Sequence, residues 1–267
     1  MRIGYYQYHP EFGAPKRNLE KVEDALAGVD VDIIVLPELA FTGYLFEDRE
    51  ELYELAEDVS ESPTVHGLSK LCKNNTFFLV VGFAERCKER LYNSALVIGP
   101  SGLLYRYRKL HLFNTEKEYF DPGDTPLKTI EIRGTKVGVM ICFDWVFPEV
   151  ARSLALQGAD LLCHPSNLVL AYCQKTMLIR SLENSVYSVT ANRTGKDTRP
   201  RGELLFTGQS QIVGPKGEVI ASSNSDEETV VLSDIDLSRA RNKLITENNN
   251  LFADRRPEFY DSIVKIS

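Results

Sequence analysis

The chain has 267 residues, a hydrophobic content of 43%, a charged content of 26% and a formal net charge of −7. These proportions are ordinary for a globular protein, and the acidic balance without a basic stripe argues against a nucleic-acid partner. Apolar runs such as 77–84 are too short to cross a bilayer, so no membrane association is expected. Five cysteines at irregular spacings do not form a disulfide framework, which indicates a reducing, cytoplasmic setting.

The first half of the chain is predicted to run strand, helix, strand, helix, strand, strand, tight turn, strand. Strand-like apolar runs cover 2–8, 32–38 and 75–82, and a helical spacing of apolar residues separates the first two runs. A Gly-Pro-Ser-Gly turn follows at 99–102, with proline and glycine at the positions that such turns favour.

The second half repeats this plan in the same order. Its strand-like runs cover 136–142, 160–166 and 184–191, and a Gly-Pro-Lys-Gly turn lies at 214–217. Apolar residues within 147–155 recur at i, i+3, i+4, i+7 and i+8, which is one face of a helix. Four matches in one order indicate a diverged duplication.

The duplication predicts how the layers stack. The helices of each half can cover only one face of that half's sheet, so the uncovered faces are expected to pack on each other. The sequence therefore predicts an α/β protein built as a four-layer α-β-β-α sandwich from two similar strand-helix halves. We expect residues 1–267 to form a single domain.

Three polar residues lie at positions where ligands bind in such a fold. Cys142 ends an apolar strand just before a helix, where the thiolate is favoured, although a free cysteine is often only a small core residue. Glu38 follows the second strand, beyond whose carboxyl end ligands collect, and is either a general base or a capping or solvated carboxylate. Lys109 ends another strand amid apolar residues and by itself would be a surface lysine.

Taken together, the blocks 37–44, 107–113 and 138–144 closely resemble the three catalytic blocks of the nitrilase, or carbon–nitrogen hydrolase, superfamily. Their order and spacing make the match more specific than any isolated short motif. The resemblance points to an amidase-like member and implies the stacked sandwich and a homodimer or larger homo-oligomer. It covers nearly the whole chain and extends to 92–95, 164–167, 180–184 and 234–237.

Carried over residue by residue, the resemblance implies Cys142 as nucleophile, Glu38 as general base and Lys109 as the cation beside the tetrahedral centre. It also implies a second glutamate after the lysine, for which Glu116 is the better match and Glu118 the alternative. This set suits amide hydrolysis. A thiolate attacks the carbonyl, Lys109 and a backbone N–H stabilise the oxyanion, and Glu38 transfers protons through a thioester intermediate.

The resemblance places Tyr44, Trp145 and Asn167 near the substrate, although Trp145 is equally interpreted as core packing. Phe113 is a candidate wall residue, and the backbone N–H of Phe143 is the candidate oxyanion donor. An aromatic lining suits a small apolar acyl group or a flat ring. A carbamoyl amino acid would also need a cation for its carboxylate, and the candidates are Lys175, Arg180, Arg193 and Arg201.

The leading hypothesis is an amidase that converts a small-molecule carboxamide to its acid and ammonia. Nitrilases and N-carbamoyl amine or amino-acid hydrolases share the same polar residues and remain alternatives. A low-turnover binding protein on the same fold is a hypothesis from a different class. The cysteine and histidine spacings fit no zinc site and no nucleotide-binding fingerprint occurs, so neither a metal nor another cofactor is implied.

Two further segments carry predictions. Residues 194–208 form a polar loop that either gates the cleft or is simply solvated. The tail 239–267 mixes charged and apolar residues, and apolar residues in such a tail are expected to dock on a surface. A partner subunit is favoured over the chain's own core as that surface.

Overall fold

The computed structural model describes residues 1–265. The first half of the chain contains strands β1 (Arg2–Gln7), β2 (Ile33–Val35), β3 (Phe78–Cys87), β4 (Arg90–Gly99) and β5 (Gly102–Arg108). Its helices are α1 (Pro15–Leu26), α2 (Arg49–Leu55), α3 (Pro63–Asn75) and α4 (Glu116–Tyr119).

The second half contains more strands than the first. They are β6 (Thr129–Ile132), β7 (Thr135–Val139), β8 (Leu161–Ser166), β9 (Tyr187–Asn192), β10 (Lys196–Arg199), β11 (Gly202–Leu205), β12 (Gln211–Val213), β13 (Val219–Ser222) and β14 (Thr229–Asp234). Its α-helices are α5 (Pro148–Leu156), α6 (Cys173–Asn184) and α7 (Leu237–Arg241), and 3₁₀ turns cover Cys142–Val146, Pro257–Phe259 and Asp261–Ile263.

The strand orders confirm that the two halves are similar. One six-stranded sheet has the order β14-β1-β2-β3-β4-β5, and the other, read in the matching direction, has the order β6-β7-β8-β9-β12-β13. In each sheet three consecutive strands are parallel, and the next two are joined antiparallel. The extra strands β14 and β6 occupy the same position beside the first parallel strand of each half.

Alternation of side chains along the strands separates the layers. Ile3 and Tyr5 of β1 belong to the core that joins the two sheets, whereas Tyr6 packs with Val22 of α1 and Leu68 of α3. Burying each such aliphatic side chain contributes about 1.5–3 kcal/mol. The four-layer α-β-β-α sandwich is therefore confirmed.

Helix α5 follows its predicted pattern closely. Pro148 is its first residue, where the missing N–H costs nothing, and Gly158 just beyond its end has φ +90°. Four of the five residues predicted to face the core are buried, namely Val150, Ala151, Leu154 and Ala155, whereas Phe147 caps the helix and is only half-buried.

Two segments differ from the sequence-based description. Residues 194–208 are not a plain polar loop, because β10 and β11 pair there as an antiparallel hairpin. A buried ion pair between Arg193 and Asp197 (2.8 Å) anchors it. The strand predicted to reach Cys142 ends at Val139, and a 3₁₀ turn begins at Cys142.

The tail is partly attached to its own chain. Arg241 bonds to Asp160, and Lys243 donates to the backbone carbonyls of 184 and 185. Phe252 is half-buried and lies 5.5 Å from the guanidinium of Arg152. Several large apolar side chains stay exposed, namely Leu244, Ile245, Phe259, Ile263 and Val264. None of the helices within residues 1–265 combines the length and apolar character that crossing a membrane requires.

Candidate active site

Strand direction brings the predicted catalytic residues to one edge of the sandwich. Strand β5 runs antiparallel to β4, which is antiparallel to β3, so β5 has the same direction as β2. Glu38 follows the carboxyl end of β2 and Lys109 follows that of β5, and both therefore lie at the same sheet edge. Cys142 follows β7, the corresponding first parallel strand of the other half.

The loop that carries Glu38 packs tightly on β3. A Cβ atom at Gly82 would lie only 2.3 Å from the Cα of Glu38, so this approach requires glycine. The Gly82 N–H donates to Pro37 O (3.0 Å), and the Ala40 N–H donates to Gly82 O (3.1 Å). Leu39 has φ +47°, an unusual conformation for a branched residue. The main chain around Glu38 is thus fixed on both sides.

Lys109 joins the two glutamates in a fully buried cluster. Its Nζ lies 2.6 Å from Glu38 Oε1 and 2.8 Å from both carboxylate oxygens of Glu116. Tyr44 donates its hydroxyl to Glu116 Oε1 (2.7 Å), and Asn93 Nδ2 donates to Glu38 Oε1 (2.7 Å). Glu38 Oε2 has no hydrogen-bond partner among the described residues. One oxygen of Glu38 is therefore held in place while the other is available to accept a proton.

The choice between the two candidate glutamates follows from these contacts. Glu116 contacts Lys109, whereas Glu118 is exposed and pairs with Arg201 (2.7 Å). The Phe113 N–H also donates to Glu116 Oε2 (3.1 Å). Glu116 is therefore the second glutamate of the cluster.

Cys142 lies at a strained turn. It has φ +37°, which non-glycine residues rarely adopt and which costs of order 1–3 kcal/mol. The buried carboxylate of Asp144 accepts from the Ile141 N–H (2.9 Å), from Tyr107 (2.8 Å), and lies 2.7 Å from His111 Nδ1. Asp144 thus holds the turn that carries the thiol.

Burial dominates the electrostatics of the site. It raises the pKa of Cys142 well above its usual value, and Glu38 adds to that effect while Lys109 opposes it. Burial also raises the pKa of Glu116, although the Lys109 ammonium opposes the shift. Burial disfavours the charge of Lys109, but Glu116 and Glu38 outweigh it and raise its pKa. The direction of the Cys142 shift therefore favours the thiol form of the resting sulfur, in contrast to the thiolate that the sequence position suggested.

A narrow cavity of about 20 Å³ opens beside Cys142. Four residues predicted to bind substrate lie on its walls, together with three aliphatic residues. Neither amide atom of buried Asn167 has a hydrogen-bond partner among the described residues. Trp145 is half-buried on the wall and is therefore not a plain core residue. The full lining is Phe113, Cys142, Phe143, Trp145, Asn167, Leu168, Val169 and Leu170.

The fifth predicted pocket residue, Tyr44, bonds Glu116 and is not on the cavity wall. No group of three or more metal-ligating side chains suited to hold an ion occurs within residues 1–265. Three residues to which the sequence analysis gave no role contact the site: Asn93 bonds Glu38, Asp144 bonds the turn that carries Cys142, and His164 lies within hydrogen-bond distance of the Cys142 carbonyl. Asn93 and His164 lie in segments that resemble the family, but the resemblance did not indicate which residues they contact.

Comparisons with known proteins show the family to which the chain belongs. The family model described as carbon-nitrogen hydrolase matches residues 2–243, and the chain therefore belongs to the carbon–nitrogen hydrolase, or nitrilase, superfamily. A protein named nitrilase from Pyrococcus abyssi is 45% identical over 97% of this chain and 99% of its own length. An N-carbamoylputrescine amidase from Solanum lycopersicum is 33% identical over 88% of this chain and 84% of its own length.

Solved structures show the same fold. A carbon-nitrogen hydrolase from Helicobacter pylori superposes with a TM-score of 0.88 at 26% identity, over 100% of this chain and 98% of its own. An amidase from Nesterenkonia sp. AN1 superposes with a TM-score of 0.81 at 23% identity, over 98% of this chain and 99% of its own; in that structure acrylamide has added to the active-site cysteine.

Proposed function

We propose that this protein is an amidase that hydrolyses a small carboxamide to its acid and ammonia through a thioester on Cys142. The observation that carries the proposal is the buried cluster of Lys109 with Glu38 and Glu116, together with a cavity that reaches Cys142. If packing were the only requirement, an apolar side chain would serve better than a buried lysine between two carboxylates. A buried lysine of this kind is expected where charge develops during a reaction.

In the first step the Cys142 thiol passes its proton to Glu38, and the sulfur attacks the amide carbon. The free Oε2 of Glu38 is the acceptor, because its other oxygen already bonds Lys109 and Asn93. Negative charge develops on the carbonyl oxygen, which Lys109 and the Phe143 N–H stabilise. Nζ lies at the same distance (2.8 Å) from both oxygens of Glu116, so one N–H group shared between them, with a second directed at Glu38, leaves the third N–H for the substrate.

In the second step the carbon–nitrogen bond breaks. Glu38 returns the proton to the departing nitrogen, ammonia leaves, and a thioester remains on Cys142. Glu38 then takes a proton from water while the water oxygen attacks the thioester carbon. The carbon–sulfur bond breaks, Glu38 returns the proton to the sulfur, and the carboxylic acid leaves as product. Glu116 keeps Lys109 in place, and Tyr44 keeps Glu116 in place (2.8 and 2.7 Å).

The cavity favours a small, uncharged acyl group. Its walls are aromatic and aliphatic apart from Asn167 and Cys142. The candidate cations for a carbamoyl amino acid are engaged elsewhere or exposed: Arg180 bonds Glu183, Arg193 bonds Asp197, and Lys175 is exposed. Arg201 is paired with a surface glutamate. A substrate carboxylate would therefore enter this cavity without a partner, at a large desolvation penalty.

Nitrile hydrolysis and hydrolysis of an N-carbamoyl amine are the second candidates, because the two relatives described above have those names. The deciding experiment is an ammonia-release screen over aliphatic amides, aromatic amides, nitriles and N-carbamoyl compounds, with Cys142→Ala as the control. Small amides are expected to give the highest kcat/KM and the control none. Nitriles reacting faster than their matching amides would show that the amidase assignment is wrong. Stoichiometric labelling of Cys142 without ammonia from any compound would favour a low-turnover binding protein.

We also propose that the protein works as a homodimer or larger homo-oligomer in the cytoplasm. All five cysteines are free, and a thiol nucleophile is preserved by a reducing compartment. Phe259 and Val264 of the tail are exposed, which supports docking of the tail on a partner subunit. The packing of Phe252 near Arg152 supports partial docking on its own chain as well.

A further inference from the structure

His164 is a buried histidine for which the proposed reaction gives no role. It lies in β8, fully shielded from solvent, and its Nε2 is 2.9 Å from the carbonyl oxygen of Cys142. A carbonyl oxygen only accepts, so Nε2 carries the proton and Nδ1 accepts from the hydroxyl of Thr190 (3.1 Å). Ser166 Oγ lies 3.1 Å from the same Nε2. Burial lowers the pKa of His164 to about 4, so the ring is neutral in ordinary buffers.

The carbonyl that His164 holds belongs to the peptide linking Cys142 and Phe143. No cis peptide bond occurs in the described chain, and in a planar trans peptide the N–H points opposite to the C=O. The Phe143 N–H therefore points away from His164. As the second residue of a 3₁₀ turn, Phe143 has no acceptor for this N–H within the turn. Cys142 and Phe143 both line the cavity, whereas His164 does not.

The strained turn needs support on both sides of Cys142. Upstream, the Ile141 N–H donates to Asp144 Oδ2 (2.9 Å), and the Asp144 N–H donates to Ile141 O (3.0 Å). Downstream, the Cys142 carbonyl receives its hydrogen bond from His164. Without that bond, the peptide plane is free to rotate toward a less strained conformation.

We propose that His164 is a positioning residue that orients the Phe143 N–H toward the oxyanion by holding the Cys142 carbonyl. The inference rests on the proposed function and extends it to the group that organises the oxyanion site. A hydrogen bond accepted by a peptide carbonyl also polarises the peptide, which makes its N–H a stronger donor. His164 neither contacts the substrate nor exchanges protons in this role.

Two measurements separate this role from simple packing. Acyl transfer from a carbonyl substrate needs an oxyanion donor, whereas alkylation of Cys142 by iodoacetamide displaces iodide and develops no oxyanion. If the Phe143 N–H no longer points toward the oxyanion, kcat falls while the rate of Cys142 alkylation stays largely unchanged. General disruption of the site lowers both together.

The experiment compares wild-type protein with His164→Leu, which has no donor, and His164→Gln, whose Nε2 is able to reach the carbonyl. Substrates are p-nitrophenyl acetate and the best amide of the screen. His164→Leu is expected to lower kcat about 10- to 100-fold, somewhat less than complete loss of an oxyanion donor, and to change KM and alkylation less than about threefold. His164→Gln is expected to recover most of kcat. Cys163→Ala is the matched control, because Cys163 is buried on the opposite face of the same strand and its change leaves kcat unaltered.

Wild-type kcat in His164→Leu, or a parallel fall of kcat and alkylation, would overturn the inference. If His164→Leu does not fold, His164→Asn takes its place, since its shorter amide does not reach the Cys142 carbonyl. Wild-type protein that transfers no acyl group from any substrate would instead refute the proposed function, and this inference with it. An active wild type with an equally active His164→Leu would refute this inference alone.

Discussion

Replacing Lys109 with methionine removes the charge at the centre of the buried cluster while keeping most of the side-chain volume. Lys109 is fully buried, and its Nζ bonds Glu38 and both oxygens of Glu116. The Lys109→Met variant therefore leaves two buried carboxylates without a cation. Turnover is expected to be abolished, because no ammonium remains to stabilise the oxyanion.

The expected stability change follows from the same contacts. Removing one partner of a buried ion pair costs about 3–5 kcal/mol, because the other charge stays buried. Burial already raises the pKa of Glu116, and loss of Lys109 raises it further. A carboxyl whose pKa is raised by folding binds its proton more tightly in the folded state, so stability falls as pH rises through that pKa. The destabilisation of Lys109→Met is therefore largest near pH 8 and shrinks toward pH 5.

Urea denaturation followed by the fluorescence of Trp145, the only tryptophan, measures this change, and ammonia release measures turnover. The matched control is the double variant Lys109→Met/Glu116→Gln, which removes one of the two stranded carboxylates. It is expected to be more stable than Lys109→Met at pH 8 and equally inactive. The reasoning is refuted if Lys109→Met is as stable as wild type at pH 8, or if its turnover is close to that of wild type.

Three further predictions concern the cavity, the thiol and the tail. Replacing Asn167 with leucine removes a buried amide that lacks partners, so stability is expected to be unchanged or higher by about 1 kcal/mol while KM rises about tenfold; an unchanged KM would exclude Asn167 from substrate binding. Burial and Glu38 raise the pKa of Cys142, so its alkylation by iodoacetamide should become faster with pH up to at least pH 9, as measured by mass spectrometry of the peptide that contains it. An alkylation rate that does not change between pH 7 and pH 9 would mean that the thiolate is already formed. Light scattering should give at least twice the chain mass for the full-length protein and less for a chain ending at residue 243; a full-length monomer would contradict the proposed role of the tail.

Local patterns in the sequence were enough to predict the layers of the fold. The strand-like apolar run at 2–8 and the helical spacing in 147–155 indicate which segments are buried and which face of the helix packs on the core. The duplicated order of strands, helices and turns then predicted two stacked sheets. The hairpin within 194–208 was missed because both strands have only four residues, the first of them is polar throughout, and a buried ion pair between Arg193 and Asp197 anchors the hairpin.

The candidate site, like the fold, could be predicted from the sequence only in part. Glu38, Lys109 and Cys142 were identifiable because each follows a strand in a block of characteristic residues, although the pattern did not measure any distance between them. Contact with Lys109 selected Glu116 over Glu118.

The sequence by itself determined most of the strands and helices, the repeated order of the two halves, and, through the family resemblance, which three side chains belong to one type of chemistry. Only the tertiary structure decided that burial raises the pKa of Cys142, that one oxygen of Glu38 has no hydrogen-bond partner among the described residues, and that His164 lies within hydrogen-bond distance of the Cys142 carbonyl. The physical reason is that periodicity and motifs record local preferences. Desolvation and hydrogen bonds between distant segments exist only after the two sheets have packed together.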